Sequence, residues 1–339
     1  MRIGQRDIRL DLPPYIIAEI GVNHDGDADR ARALVNAAAT AGAHAVKLQY
    51  FRADRLMSRA CRPAQYQSQA GFDDPIDMLR ALELDHDDLS TVIACAHDAG
   101  IDAIVTAFSV DDVDEIDDLP WAAYKVASPD CVHEPLIRRL QRTGRPMIVS
   151  TGAATADEVA QTVRWLNGHT FALLHCVSAY PTPDEQASLG GIVALSRLTD
   201  GPIGYSDHTM SEDTGALAVA AGACVLERHL TYDRAARGPD HAASLDPDGL
   251  QRYIAAAMRA ARMRGLWTKR VQDIEEDVRR VSRQSIVATR HLSAGHVLTD
   301  DDVTFKRPGE GVAAAVMVTG RRLIADIEAD MPLTEAHLS

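Results

Sequence analysis

The sequence predicts an α/β protein, a (β/α)8 TIM barrel followed by a small, mostly β module. Three observations support this fold class. Short apolar segments alternate with amphipathic helical segments, which is the pattern of parallel strands joined by helices. Eight such strands fall within about 250 residues, the usual length of this barrel. Beyond residue 282 the helical periodicity ends, and short strand-like pieces interrupted by glycine and proline take over.

A unit recurs along the first part of the chain: a helix that ends at a glycine, then a short apolar strand. In its first occurrence Leu34, Val35 and Ala38 share one helix face, and Gly42 ends the helix because glycine adopts left-handed backbone at little cost. A doubly wound open sheet is the alternative, but no GxGxxG motif follows the first strand. The predicted strands are Tyr15–Ile20, Ala45–Leu48, Ala103–Thr106, Ala122–Val126, Met147–Ser150, Phe171–His175, Ile203–Ser206 and Cys224–Leu230.

Three segments are predicted along the chain. Residues 1–267 form the barrel, which a helix at about residues 248–265 closes, and residues 268–282 form a charge-dense, solvated linker. Residues 283–339 form the second module. A module of under 60 residues buries little apolar surface by itself, so we expect it to rest on a partner surface.

Composition and charge exclude several classes of function. The net charge of −14 argues against binding to nucleic acid or to an anionic membrane surface. No apolar run approaches the length of a membrane span, and the first residues lack the pattern of a signal peptide. The five cysteines are scattered without a CxxC spacing, so neither a disulfide framework nor a zinc ribbon is indicated. We therefore expect a cytoplasmic protein.

Polar and ionisable residues stand at the carboxyl ends of the predicted strands, where barrel enzymes carry their chemistry. Burying such groups costs several kcal/mol in total unless they are paired or used. The pattern therefore predicts an active site at this end of the barrel. Its members are Glu19, Lys47, Gln49, Thr106, Lys125, Ser128, Asp130, Ser150, His175, Ser178, Tyr180, Ser206, His208, Glu227 and His229.

Two histidines, His208 and His229, end consecutive predicted strands. Parallel pairing of those strands would bring both side chains to the same edge of the sheet. Two neutral imidazoles with acids nearby suit a catalytic divalent metal. Either histidine alone could simply cap a strand end, so the prediction depends on the pair.

Two lysines at strand ends, Lys47 and Lys125, indicate a small ligand with two or three negative charges. A structural ion pair with Glu19 or Asp130 is the alternative for one of them, and a Schiff-base lysine is another. Glu19 is a candidate general acid/base, because burial moves the pKa of a carboxyl group toward neutrality. Hydroxyl groups at the strand ends could donate to the ligand's oxygens; they belong to Thr106, Ser128, Ser150 and Ser206.

The loop 233–244, after the eighth predicted strand, is polar and long enough to cover the barrel mouth. Asp240 and His241 in this loop could meet sugar hydroxyls. Solvated loop residues are the alternative, and spacing alone does not decide between the two.

Segments in order along nearly the whole chain resemble the N-acetylneuraminate (sialic acid) synthase family, with its legionaminate, pseudaminate and spore-coat relatives. Residues 283–288 and 306–309 resemble the antifreeze-like (SAF) domain that ends the proteins of this family. The barrel segments that carry the resemblance are 17–26, 45–49, 125–128, 150–152, 174–183, 204–209, 227–231 and 238–245.

The resemblance implies a metal-dependent condensation of phosphoenolpyruvate with the open-chain aldehyde of a sugar, usually an N-acetylated hexosamine. The products would be a 2-keto-3-deoxy sugar acid and phosphate. Mn²⁺ or Mg²⁺ would be held by His208 and His229. The family also implies a domain-swapped homodimer, in which Arg307 enters the active site of the other subunit.

The resemblance further assigns roles to individual residues. The implied catalytic residues are Glu19, Asp130 and Glu227. Phosphoenolpyruvate would be bound by Lys47, Thr106, Lys125, Ser128, Ser150, Ser178 and Ser206. The sugar would be met by Gln49, Tyr180, Asp240 and Arg307.

Three positions depart from the family's usual pattern. Ser178 stands where asparagine is common, Asp130 where glutamate is common, and Arg228 where lysine is common. These departures leave the reaction type in place and leave the acceptor sugar open. Two other functions also remain as alternatives: a different metal-dependent barrel aldolase or hydrolase that needs no phosphoenolpyruvate, and a sugar-binding protein without catalysis.

Overall fold

The computed structural model describes residues 1–58 and 75–339, which divide into two compact units, Met1–Trp267 and Thr268–Ser339. In the first unit eight parallel strands close into a barrel, with the eighth strand paired to the first. The predicted fold class is therefore confirmed. The strands are β1 Tyr15–Glu19, β2 Ala45–Tyr50, β3 Asp102–Ala107, β4 Ala123–Val126, β5 Met147–Ser150, β6 Phe171–Cys176, β7 Ile203–Asp207 and β8 Val225–His229.

Helices surround the barrel, and local sequence signals set their ends. The first begins after Asp27, whose side chain accepts hydrogen bonds from the Asp29 and Arg30 amides, and ends at Gly42 with φ of 94°. The helices of this unit are α1 Ala28–Ala41, α2 Ala53–Leu56, α3 Pro75–Arg80, α4 His86–Asp98, α5 Val110–Ile116, α6 Glu134–Gln141, α7 Ala156–Trp165, α8 Gly190–Leu195, α9 Thr214–Ala220 and α10 Pro247–Arg264.

Alternation along the strands separates two apolar cores. Outward side chains such as Ile16, Val46 and Val105 pack beneath the helices. Inward side chains near the amino ends of the strands form a second cluster, the barrel floor, together with two residues that precede the first barrel strand. The floor comprises Ile3, Ile8, Tyr15, Ile17, Ala45, Ile104, Ala123, Ile148, Ala172, Leu174, Cys224 and Val225.

The inward positions change character two residues further along several strands. Ile17 of the barrel floor is followed by Glu19, and Ala45 is followed by Lys47. Because side chains alternate with a period of two, each polar residue points into the same interior as the apolar residue before it. The upper half of the barrel interior is therefore lined by groups that carry charge.

The second unit has its own apolar core beneath two antiparallel strands, β9 Ser285–Ala288 and β10 Val303–Lys306. Helix α11, Glu276–Ser282, lies within the segment predicted as a linker. Two of the strand-like pieces of this module, at residues 296–298 and 323–325, form only isolated bridges. Gly295 and Gly320, both with positive φ, turn the chain before a longer ladder can form.

Among residues 1–58 and 75–339, none of the helices combines the length and the apolar character that a membrane crossing requires. Cys95, Cys131, Cys176 and Cys224 are free thiols. Cys61, the fifth cysteine of the sequence, lies outside the described residues.

Candidate active site

A cavity of about 380 Å³ opens at the carboxyl ends of the barrel strands. It gathers residues that are far apart in sequence, because parallel strands all end at the same rim. Twelve of the sixteen residues to which the resemblance assigns a role line this cavity. They are Lys47, Gln49, Thr106, Lys125, Ser128, Ser150, Tyr180, Ser206, His208, Glu227, His229 and Asp240.

Four charged side chains form a buried cluster at the bottom of this cavity. Lys47 Nζ contacts Glu19 Oε2 directly and lies 3.6 Å from Glu227 Oε1. Lys125 Nζ lies 3.9 Å from Glu227 Oε2, and each of the four residues exposes less than a tenth of its surface. The Lys47–Glu19 ion pair, offered by the sequence as a structural alternative, is thus present, but Lys47 also faces Glu227 and the cavity.

Burial and mutual attraction set the charges of this cluster. Burial lowers the pKa of Lys47 to about 8, while the carboxylate of Glu227 opposes that shift. Burial alone would raise the pKa of Glu227, but the Lys125 and Lys47 ammonium groups hold it below its ordinary value. At neutral pH the cluster therefore presents an ammonium group at Lys47 and a carboxylate at Glu227.

Hydroxyl groups surround the lysines. Thr106 Oγ1 accepts a hydrogen bond from Lys47 Nζ at 3.2 Å, and Ser206 Oγ donates to Glu227 Oε1 at 3.1 Å. Ser150 Oγ is buried and has no hydrogen-bond partner within the described part of the chain. Because an unpaired buried hydroxyl group is costly, it points to a ligand that accepts its hydrogen bond.

Gly152 makes a close approach possible beside the serines. A Cβ atom at this position would lie 2.3 Å from Ser178 Oγ and 2.9 Å from Ser128 Oγ, so any other residue would displace both hydroxyl groups. The Gly152 amide donates to Ser128 Oγ at 3.0 Å. Sequence reasoning quoted Gly152 within a motif but gave it no role in the site.

The two predicted metal ligands face each other across a short gap. The ring centroids of His208 and His229 are 5.4 Å apart, and the Tyr180 ring lies 4.1 Å from that of His208. His208 Nδ1 is 2.9 Å from the Val177 carbonyl oxygen, so it carries the proton and leaves Nε2 available as a ligand. His229 Nδ1 is buried without a hydrogen-bond partner among the described residues and lies 3.5 Å from Asp240 Oδ2.

These residues fit a divalent metal in donor type and in charge. Within residues 1–58 and 75–339, no group of three or more His, Cys, Asp or Glu side chains has the arrangement of a metal site. Oxygen atoms of substrate or water would therefore supply the metal's other ligands beside the two imidazoles. Lys47 and Lys125 against Glu19, Glu227 and Asp240 leave a formal charge of −1. A bound divalent cation would make the cavity positive and so suitable for an anionic substrate.

A second buried ion pair lies on the outward face of the same two strands. Arg228 and Asp207 are partners in the register of β8 and β7, and Arg228 Nη1 lies 2.9 Å from Asp207 Oδ1 with both side chains fully buried. Each residue directly adjoins one of the two histidines in sequence. Sequence reasoning noted Arg228 only as a departure from the family pattern and missed this pair.

Four of these sixteen residues do not line the cavity, and neither does His175 from the strand-end set, whose Nε2 lies 3.0 Å from the Ala187 carbonyl oxygen. Glu19 lies behind Lys47, and Ser178 lies beside Gly152. Asp130 is in the 3-10 helix Ser128–Val132, where burial raises its pKa. Arg307 belongs to the second unit, so its part in the site stays a prediction, as do the roles of the other residues.

His241 has both ring nitrogens occupied. Nε2 lies 2.9 Å from Asp25 Oδ1, and Nδ1 lies 2.7 Å from Thr231 Oγ1. The ring is fully buried and is not part of the cavity lining. It therefore fixes the loop that carries Asp240, and it is neither in the cavity lining nor solvated, the two possibilities that the sequence left open for it.

One wall of the cavity is apolar, which sequence reasoning did not predict. Its residues follow β2 and β3 or belong to helices α2 and α3. The signal was partly available, because Phe51 and Phe108 come directly after those strands. We call this surface the apolar wall; its residues are Phe51, Leu56, Met57, Leu79 and Phe108.

A (β/α)8 barrel with buried lysines, carboxylates and imidazoles gathered at the carboxyl ends of its strands is the arrangement of an enzyme that acts on a small anionic substrate. Residues 34–269 match the NeuB family, and residues 283–339 match the SAF domain. The chain therefore belongs to the NeuB family, which confirms the resemblance drawn from its motifs.

Similar proteins carry names of related synthases. The chain is 34% identical to the N,N'-diacetyllegionaminic acid synthase of Legionella pneumophila, over 96% of this chain and 94% of that protein. It is 33% identical to the N-acetylneuraminate-9-phosphate synthase of Mus musculus, over 95% and 92%. A solved spore coat polysaccharide biosynthesis protein E from Chromobacterium violaceum is similar with a TM-score of 0.81 and 29% identity, over 96% of this chain and 99% of that one.

Proposed function

We propose that this chain condenses phosphoenolpyruvate with the open-chain aldehyde of a sugar, in a reaction that needs a divalent metal and releases phosphate and a 2-keto-3-deoxy sugar acid. The observation that carries the proposal is the presence of Lys47, Lys125, His208 and His229 in one cavity. Membership of the NeuB family and the names of the synthases described above support it.

Phosphoenolpyruvate would lie over the two lysines. Their ammonium groups offset its negative charge, and the buried hydroxyl group of Ser150 donates to one of its oxygens. The close contacts between Gly152, Ser128 and Ser178 shape the same side of the cavity. Holding both reactants in one enclosed site replaces a bimolecular encounter by a reaction between aligned groups.

The reaction forms a bond between C3 of phosphoenolpyruvate and the aldehyde carbon, whose oxygen takes up a proton and becomes a hydroxyl group. Water then adds to C2, and the bond between C2 and the phosphate oxygen breaks, so that C2 becomes a ketone as phosphate leaves. When bound, the metal would act as a Lewis acid toward the aldehyde and hold it in place. Glu227, kept ionised by the lysines, would accept a proton from the water, and Glu19 would assist through its contact with Lys47.

The sugar would be met by Gln49, Tyr180 and Asp240, which line the cavity beside the histidines. Burial raises the pKa of Asp240 to about 6, so this group is ionised at neutral pH and accepts hydrogen bonds from sugar hydroxyls. We propose that residues 283–339 act from the other subunit of a domain-swapped homodimer, where Arg307 adds a contact to the sugar.

Phosphate release from phosphoenolpyruvate, measured with a panel of aldoses and Mn²⁺, tests the proposal. Release should require all three components, and His229→Gln should reduce it by about 10³-fold or more. His97→Gln, an exposed histidine in α4, is the matched control and should leave the rate unchanged. Metal-dependent turnover of a keto acid without use of phosphoenolpyruvate would instead identify an aldolase of another type.

A further inference from the structure

The amino-terminal arm and the last turns of helices α8, α9 and α10 meet at the face of the barrel opposite the active-site cavity. Each helix returns from the carboxyl ends of the strands, so its last turn lies at their amino ends. A second cavity, of about 650 Å³, opens there and brings together Leu10, Val193 and Trp267. We call this face the basal surface; its exposed members are Leu10, Val193, Arg197, Arg259, Arg262, Met263, Leu266 and Trp267.

Large apolar side chains project into solvent on the basal surface. Met263 is 75% exposed, Trp267 56% and Leu266 54%. Of the eight large apolar residues that are exposed in the described part of Met1–Trp267, five belong to this surface. Single exposed apolar residues are ordinary, but a group of them that includes a tryptophan indicates a surface that binds a partner.

Positive charge is concentrated on the same surface. Arg197, Arg259 and Arg262 are exposed and form no ion pair within the part of the chain that the structure describes. Arg259, Arg262 and Met263 follow the i, i+3, i+4 spacing of one helix face, so cationic and apolar side chains are neighbours there. Seven arginines and three aspartates, a formal charge of +4 in a chain of −14, occur in the segments that build the surface, residues 1–12, 193–202, 217–224 and 257–267.

An anionic lipid bilayer fits this combination better than other partners do. Arginines are attracted to lipid phosphates, while tryptophan, leucine and methionine enter the boundary between headgroups and acyl chains. A second copy packed on the surface about a twofold axis would bring the arginines of both copies together. A nucleic acid would attract the arginines, but its phosphates would offer nothing to Met263 and Leu266.

We propose that the basal surface binds an anionic phospholipid bilayer and holds the chain at the membrane surface, with the active-site cavity directed away from it. The whole-chain charge of −14 argues against membrane binding, but exposed charges more than about 8–10 Å apart are largely screened at physiological salt. The local charge of +4 therefore decides the attraction. The acidic remainder of the chain is repelled by the bilayer and helps to orient the basal surface toward it.

Flotation with vesicles of phosphatidylcholine and phosphatidylglycerol in equal parts tests the proposal. The protein should float with these vesicles and not with pure phosphatidylcholine, and added salt should weaken binding. Arg259→Gln combined with Arg262→Gln should weaken binding about 25-fold, because each arginine near an anionic surface contributes about fivefold. Arg32→Gln combined with Arg252→Gln removes the same charge from exposed positions early in α1 and α10, and this control should bind like the unsubstituted protein.

The apolar contribution is tested without a change of charge. Met263→Gln combined with Leu266→Gln should weaken binding about tenfold or more, because less apolar surface leaves water. Trp267 emission should shift to the blue when the anionic vesicles are added, and Trp267→Gln should abolish that shift. Trp121 is buried and Trp165 lies in α7, so neither should respond.

Three results would overturn the proposal. The first is the absence of flotation with the anionic vesicles. The second is flotation that the arginine and apolar substitutions leave unchanged, because another surface would then bind the lipid. The third is dissociation of a homodimer by Met263→Gln and Leu266→Gln in analytical ultracentrifugation, because a second copy would then cover the basal surface. Thermal unfolding should show unchanged melting temperatures, since all four substituted arginine and apolar side chains are exposed.

Discussion

The lower and upper halves of the barrel interior are built from the same strands but differ in the side chains that they bury. Ile17 and Ala45 lie in the apolar barrel floor, and two residues further along those strands Glu19 and Lys47 form a buried ion pair. The floor stabilises the fold by removing apolar surface from water. The upper half buries charges and leaves Ser150 Oγ and His229 Nδ1 without hydrogen-bond partners among the described residues, an arrangement that costs stability.

The difference indicates which half has been shaped by a ligand. Buried groups that lack partners in the protein gain them only when substrate or metal is bound. Substitutions in the upper half should therefore change chemistry more than stability. Substitutions in the floor should change stability more than chemistry.

Lys125→Met should have the largest effect on chemistry. Phosphate release should fall by about 10³-fold, equivalent to about 4 kcal/mol, because one of the two ammonium groups that line the cavity is lost. The melting temperature should not fall, because Lys47 still faces Glu227 at 3.6 Å. Steady-state kinetics and thermal unfolding measure both, with the exposed Lys269→Met as control. A loss of activity in proportion to a loss of folded protein would contradict a role at the substrate.

The outward ion pair gives a buried charge outside the cavity for comparison. Arg228→Met should lower the free energy of unfolding by about 3 kcal/mol, because Asp207 remains buried without its counter-charge. Mn²⁺ affinity, measured by calorimetry on the folded variant, should also fall about tenfold, since Arg228 and Asp207 adjoin His229 and His208.

Two further variants separate positioning from simple stability. Arg228→Lys, which keeps the charge, should restore most of the Mn²⁺ affinity. Arg252→Met removes an exposed ion pair with Glu212 and should cost at most about 1 kcal/mol with no change in Mn²⁺ binding. Unchanged Mn²⁺ affinity in Arg228→Met would show that the pair only stabilises the fold.

Buried histidines at the two ends of the barrel predict a response to acid. Burial lowers the pKa of His24, above β1, and of His44, below β2, to about 4. Between about pH 6.5 and 4 the unfolded chain therefore binds protons that the folded chain does not bind. The contribution of these histidines to the free energy of unfolding is full above pH 6.5 and is lost as the pH falls toward 4. The almost fully buried His24 should contribute up to about 3 kcal/mol of this loss.

Denaturant unfolding at several pH values measures this effect. His24→Gln should flatten the dependence of the unfolding free energy between pH 6.5 and 4 by about one proton. His97→Gln, at an exposed position, is the control and should leave the dependence as it is. If His24→Gln and the unsubstituted protein show equally steep dependences, the imidazole of His24 takes up its proton in the folded protein over the same pH range as in the unfolded chain.

The fold was predictable because local signals repeat. Each predicted strand overlaps an observed strand, since apolar runs follow helices that end at, or a few residues before, a glycine with positive φ such as Gly42 or Gly144. The second unit was less predictable. Its pairings join positions far apart in sequence, as between Leu292 and Ile327, and no local pattern specifies them.

Candidate site residues at strand ends were predictable for a related reason, because closing the barrel brings strand ends together whatever the intervening sequence. Features that depend on three-dimensional packing were missed. Leu79 reaches the cavity from helix α3, outside any strand. The Arg228–Asp207 pair requires knowledge of the register between β7 and β8.

Ile17→Val in the barrel floor should have the smallest effect and completes the comparison between the two halves. Removing one methylene group from this fully buried side chain should lower the free energy of unfolding by about 1 kcal/mol. The values of kcat and KM for phosphoenolpyruvate should stay unchanged, although Glu19 is only two residues away, because the substituted atoms lie in the apolar floor and not in the charged cluster. Denaturant unfolding and steady-state kinetics measure the two quantities on the same sample. A change in kcat/KM larger than the change in stability would show that the floor and the cavity are one coupled unit, and the separation drawn between them would fail.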